Sequence, residues 1–345
     1  MSSLSLTLLT LTLLPALTTA QIRSPKRGLI FIPNPQTPDD NTIWTSSGSD
    51  LTWYYNYSPT PSAILTNATA SQAELEFVPM LFGSLDDTSF LDTVTDLIDN
   101  QGMNITHILT FNEPDGPTAS GGSNLSPEKA AQIWVDNIVP LQAARTAGAD
   151  RLRIGLPACT GGQGGIPWLM DFLGNCSALV RGTAGEEEGE EEEKKEEGKT
   201  CTYDFVPIHW YGDFQGLASR MGEYSAAFPN TSQWITEYAL PDADLASTQD
   251  FYNTSADYLD RLDSVERYSY FGSFRSDVSN VGPNAAMLNN EGRLTDIGSW
   301  YLGGVATGVE PQSGGGGVGV GVGVGRRRGV WGVVGVGVMV ALLAI

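Results

Sequence analysis

Eight short runs rich in apolar, aromatic and β-branched residues recur along this chain, each followed by a stretch of longer period, and that rhythm restricts the fold more than any other feature. The runs are Gly28–Ile32, Leu51–Tyr57, Glu76–Phe82, His107–Phe111, Arg153–Pro157, Asp204–Trp210, Gln233–Tyr238 and Glu266–Phe271. Runs of this length suit strands, and the intervening stretches carry helical spacing. Between the fourth and fifth, Ser126 precedes Pro127 and Glu128, a helix start with a serine cap and proline at the first position. Ile133, Trp134, Ile138 and Leu141 then fall on one helical face. Strand and helix alternating eight times predict an α/β fold, the closed (β/α)8 TIM barrel rather than an open sheet. Residues 21–311 have about the size of one such barrel and form the single expected domain.

The two ends read as processing segments rather than fold. Leu6–Leu17 is an apolar stretch followed by small residues to Ala20, which predicts a signal peptide over 1–20. The n-region lacks positive charge, so a retained N-terminal anchor is the alternative, although the stretch is shorter than the roughly 20 residues of a spanning helix. At the other end a Gly-rich spacer, 312–328, contains Ser313-Gly314-Gly315 and Arg326-Arg327-Arg328 and leads into the apolar tail 329–345. That order predicts a GPI attachment signal, with a tail-anchored helix as the alternative. Either way the domain is expected at a membrane surface, secreted and held at the outer face of the cell or its wall.

Seven Asn-x-Ser/Thr sequons, at Asn56, Asn67, Asn104, Asn124, Asn175, Asn230 and Asn253, accord with the secretory route. An oxidising compartment favours pairing two of the three cysteines, and Cys176 with Cys201 would pinch the base of an excursion between them. That excursion, 185–199, holds nine Glu and three Lys, −6 of the chain's net charge of −21. It reads as a solvated acidic insertion. A domain this acidic has no basic face for a phosphate backbone, so nucleic acid is not an expected partner.

Chemistry in such barrels sits where strands end. The fourth run ends Phe111-Asn112-Glu113-Pro114-Asp115 and the seventh ends Trp234-Ile235-Thr236-Glu237-Tyr238. Cleavage of a glycosidic bond needs two carboxyl groups, and a separation of roughly 5–5.5 Å marks the retaining mechanism. Glu113 and Glu237, on strands facing each other across the mouth, are the candidate pair. Asn112 offers an amide to a substrate hydroxyl. His209-Trp210-Tyr211 at the end of the sixth run offers a His or Tyr to orient Glu237, while His209 as an ordinary packed histidine stays open.

Six blocks in order resemble glycoside hydrolase family 128 of clan A, the endo-β-1,3-glucanases of the alkali-sensitive-linkage type. They are Lys26-Arg27-Gly28, Trp53-Tyr54-Tyr55-Asn56, Phe77-Val78-Pro79-Met80-Leu81, Phe111-Asn112-Glu113-Pro114-Asp115, His209-Trp210-Tyr211-Gly212 and Trp234-Ile235-Thr236-Glu237. The resemblance spans about Lys26 to Gly303 and implies Glu113 as acid/base, Glu237 as nucleophile, a cleft for β-1,3-glucan, and no metal or organic cofactor. Phe82, where a Trp is expected, and the acidic insertion depart from the pattern.

Sugar rings stack on flat side chains, and Trp53, Trp210 and Phe271 are the aromatic residues expected to form subsites, with Trp44 at the cleft edge. Glu113, protonated beside the negative charge of Glu237, would act first as acid and then as base, giving a bell-shaped pH profile below neutrality. The expected protein is a monomer that remodels or degrades wall glucan. Two alternatives stand beside it: a wall glucan-binding protein that has lost hydrolysis, and a clan A hydrolase acting on another β-glycan.

Overall fold

The computed structural model describes residues 24–46, 48–66, 75–145, 151–182 and 201–312. The expected leader, the acidic insertion, the sequon at Asn67, the spacer beyond Gln312 and the apolar tail lie outside these residues. Among the described residues no helix is long and apolar enough to cross a membrane.

Among the described residues nine parallel strands make eight staves. They are β1 (Gly28–Ile30), β2 (Trp53–Tyr55), β3 (Glu76–Phe77), β4 (Met80–Leu81), β5 (His107–Asn112), β6 (Arg153–Ala158), β7 (Phe205–Tyr211), β8 (Ser232–Ala239) and β9 (Val265–Tyr270). β3 and β4 are two halves of one stave, interrupted around Pro79, whose nitrogen has no proton to donate to a ladder. β3 pairs with β2, β4 pairs with β5, and pairing then runs in order to β9. A parallel bridge between Arg27 and Tyr268, with Tyr268 N–H donating to Lys26 O at 2.9 Å, carries the pairing from β9 back to the start. The expected eight strands are all present, with ends displaced by one or two residues and the third one split.

Helices Ser89–Asp99, Pro127–Ala144, Gly165–Gly182, Phe214–Ala227, Leu245–Arg261 and Asp296–Tyr301 follow the later staves; among the described residues the first crossover has a 3-10 helix, Pro38–Thr45, and the second a single turn, Ala63–Thr66. Their starts are written locally. Ser126, Asp213, Asp244 and Thr295 each accept a backbone N–H three residues on, satisfying a donor that a helix start leaves orphaned. The stripe Ile133, Trp134, Ile138 and Leu141 is buried as its spacing predicts. Cys176 and Cys201 form the expected disulfide, and Cys159 is free and buried.

The N-terminal pole of the barrel is filled by rings and ions together. Trp234 stacks on Phe205 at 4.1 Å and lies 5.0 Å from Trp53, while the Arg267 guanidinium sits over Trp234 at 4.7 Å and over Trp53 at 5.6 Å. Trp53 opens its strand, so it points into this plug and donates Nε1–H to Lys26 O; fully buried, it is not the sugar platform expected of it. Glu76 accepts from Arg267 at 2.6 Å and lies 2.9 Å from His107 Nδ1, and Arg153 pairs with Glu266. Burial alone would raise both carboxyls, but His107 and Arg267 hold Glu76 at about 2, and His107, Arg153 and Trp234 hold Glu266 at about 2.

Both values lie below the ordinary carboxylate pKa of about 4.3. Their stabilisation is therefore complete above about pH 4.3 and is lost as pH falls toward 2. Thermal unfolding followed between pH 6 and 2 should show Tm falling steeply in that lower window. Glu76→Gln should flatten the fall and lower Tm at pH 6 by about 5 °C, since it leaves Arg267 without its partner.

Candidate active site

The opposite, C-terminal pole brings Glu113 and Glu237 together. β5 delivers Glu113 at its end, where the backbone turns out of the ladder: Glu113 has φ 41° and its N–H donates to Ala158 O at 2.7 Å. β8 delivers Glu237 at a position where its register with both neighbours shifts, between Ile208 and His209 on one side and between Ile235 and Tyr238 on the other. Such irregularities re-aim a side chain that regular alternation would place differently. The carbonyl of Thr236, just before Glu237, accepts from Tyr55 Oη at 2.9 Å and from Ser269 Oγ at 2.6 Å, which pins the backbone beneath the carboxylate.

His209 ties the two acids together. Its Nδ1 lies 3.1 Å from Glu113 Oε1 and 3.5 Å from Glu237 Oε2. One atom from each of the three residues lies within 4.8 Å of the others, and all three are buried. His209 is therefore part of the site rather than ordinary packing. Tyr211 Oη donates to Glu237 Oε2 at 2.6 Å, and Tyr57 Oη donates to Glu237 Oε1 at 2.7 Å. Both oxygens of one carboxylate are thus occupied by hydroxyl donors. The trio could also ligate a cation, but these oxygens and His209 Nδ1 are already engaged with one another and with hydroxyl protons, an arrangement suited to moving protons.

The electrostatics favour a proton on Glu113. Burial raises the pKa of Glu113, and the charge of Glu237 adds to that rise, while His209 opposes it. Burial works against charge on His209, yet Glu237 and Glu113 outweigh it and raise its pKa above the usual value. Burial and the nearby charge of Glu237 push the phenols of buried Tyr57 and half-buried Tyr211 well above the ordinary range, so both keep their protons. Two carboxyl groups so arranged, one inclined to hold a proton and the other surrounded by donors, have the opposed environments that acid and nucleophile require.

Of the expected binding residues, Asn112 is buried at the site's edge. Its Nδ2 donates to Gly121 O at 3.2 Å, fastening the loop that follows Glu113, and its Oδ1 is buried without a partner. Trp210 is half-buried and alternates out of phase with His209 and Tyr211. Its ring lies on Gly216, where an added Cβ would stand 2.0 Å from the indole, and its Nε1–H donates to Asp213 O. It therefore packs on the helix side, away from the carboxylates. Phe271 is 1% exposed and meets Tyr211 edge-on at 5.7 Å, so it backs the tyrosine instead of presenting a face to a sugar. Trp44 is likewise buried, at 2%.

Sequence reasoning missed Tyr57. It stands just past β2 with φ 57°, a left-handed turn that swings the ring back over the barrel mouth, where it meets Phe82 edge-on at 6.3 Å. The available signal was a bulky residue directly before Ser58-Pro59, within a run whose other tyrosines belong to the barrel.

Comparison with known proteins places this geometry. A family model described as glycosyl hydrolase catalytic core matches residues 28–301. "Alkali-sensitive linkage protein 1" of Schizosaccharomyces pombe is 26% identical over 289 residues, covering 81% of this chain but 44% of that protein. Among solved structures, a family 128 (subgroup II) endo-β-1,3-glucanase from Pseudomonas viridiflava is 24% identical with a TM-score of 0.61, covering 82% of this chain and 99% of that one. A family 128 (subgroup VI) exo-β-1,3-glucanase from Aureobasidium namibiae is 20% identical with a TM-score of 0.61, covering 81% and 97%. The barrel agrees with these folds, the family match runs from the first stave to the last helix, and the chain accordingly belongs to the glycosyl hydrolase catalytic core family, as a member of glycoside hydrolase family 128.

Proposed function

We propose that this protein is a retaining glycoside hydrolase that cleaves β-1,3-glucan, with Glu113 as acid/base and Glu237 as nucleophile. The observation that carries the reading is the convergence of two buried carboxyl groups through His209, within 4.8 Å, with opposed environments. That spacing leaves no room for a water between them and suits direct attack by one carboxylate. Glu113 gives its proton to the leaving glucosyl oxygen while Glu237 bonds to the anomeric carbon. A water then attacks that carbon, giving its proton to Glu113, and Glu237 departs as carboxylate. Asn112 Oδ1 accepts from a sugar hydroxyl beside the scissile bond. The half-buried Phe82 is the aromatic side chain best placed at the mouth to meet a sugar face. The family 128 β-1,3-glucanases that share this fold favour β-1,3-glucan over other β-glycans, and retention of both carboxyls in working geometry favours hydrolysis over binding alone.

The protein is proposed to act as a monomer, exported by its leader and held by a GPI lipid at the outer face of the cell, where wall glucan is its substrate. The disulfide and the six described, half-buried or exposed sequons at Asn56, Asn104, Asn124, Asn175, Asn230 and Asn253 agree with that route. Incubation of the purified protein with laminarin, with the anomeric configuration of the first product followed by NMR, tests the reading. Release of β-configured oligosaccharides is expected; α-configured products would exclude retention, and no products would exclude the hydrolase.

A further inference from the structure

Glu237 is held from two directions by different parts of the barrel. Tyr211 reaches it from β7, the adjacent stave. Tyr57 reaches it from the end of β2, which is separated from β8 by β9 and β1. The same β2 stave also supplies Tyr55, whose hydroxyl donates to Thr236 O at 2.9 Å, so one strand grips both the backbone before Glu237 and its carboxylate. The Tyr57 ring is 5% exposed, lies edge-on to Tyr55 at 5.1 Å and to Phe82 at 6.3 Å, and takes a left-handed backbone angle uncommon for a bulky residue. A strained, buried aromatic whose one polar atom meets one carboxylate oxygen is placed for that contact.

We infer that Tyr57 is a second positioning residue for the nucleophile and that its hydroxyl acts chiefly on breakdown of the covalent glycosyl-enzyme, an inference that rests on the retaining hydrolase reading. In the first step a donor on Glu237 orients the carboxylate but also weakens its attack, so the two effects partly cancel. In the second step the ester bond between Glu237 and the anomeric carbon breaks, its electron pair returns to the carboxylate, and water supplies the new bond. A hydroxyl waiting on the departing carboxyl group favours departure without an opposing cost.

Tyr57→Phe keeps the ring and removes the donor. With an activated aryl β-laminaribioside as substrate, the variant should lose about 10- to 100-fold in kcat, with KM falling in parallel, and should release a stoichiometric burst of the phenol as intermediate accumulates. A variant that is slow without a burst, at whatever Tm, overturns the inference, as does one whose kcat matches the wild type. A wild-type protein without turnover in the parallel control overturns the hydrolase reading itself, which separates the two failures.

Discussion

Glu237→Gln should reduce kcat on laminarin by on the order of 10⁴-fold or more, the scale reached when a covalent nucleophile is removed. Affinity for laminari-oligosaccharides should change by less than about threefold, because the amide keeps the shape of the group and one of its acceptor positions. Isothermal titration with the variant and initial rates over extended times check both halves. The amide cannot accept from Tyr57 and Tyr211 at once, so one hydroxyl must turn away; a small loss of Tm, about 2–4 °C, accompanies that change. A variant hydrolysing laminarin near the wild-type rate would remove Glu237 from the chemistry.

Glu113→Ala tests the other carboxyl and has a different signature. Loss of general acid and base catalysis should lower kcat on glucan by about 10²–10⁴-fold. Aryl glycosides with good leaving groups need no proton, so their first step should be nearly unaffected. Azide added to the variant should restore turnover and be captured as the β-glycosyl azide, since it replaces the activated water on the face that Glu113 serves. In the wild type Glu113 must be protonated, and its pKa is raised, chiefly by burial. Activity is therefore present below that raised value and lost as pH climbs through it. The alanine variant should lose this basic limb on aryl substrates, and a profile that keeps it would assign the limb to another group.

The polypeptide pattern made the barrel and its carboxyl pair visible because strand periodicity and strand-end position are local properties. Glu113 and Glu237 are each followed within a residue or two by a change in backbone direction, and the alternation of His209, Trp210 and Tyr211 was present in the sequence even though which face pointed inward was not. Aromatic platforms were harder to read. Trp53 begins its strand and Phe271 follows the end of one, and since each lay in or beside a short apolar run, nothing local separated the plug at one pole from the mouth at the other. Whether a ring is covered depends on neighbours far away in sequence, Arg267 and Trp234 for Trp53 and Tyr211 for Phe271. Tyr57 was hidden for another reason: its role depends on a left-handed backbone turn, and a β-rich run offers no periodic sign of one. The split around Pro79 was a strand irregularity with a visible cause, the missing amide proton.

The lattice of Glu76, His107, Arg153, Glu266 and Arg267 lies at the far end of the staves from Glu113 and Glu237, with no shared side chain between the two sets. Endurance in acid and the working pH range are consequently separate traits of this molecule. Substitutions that rework the ionic plug can shift survival at low pH while turnover keeps its optimum, and changes around His209 can retune the optimum without loosening the base. A variant library aimed at an acid-hardy enzyme would draw from the first group alone.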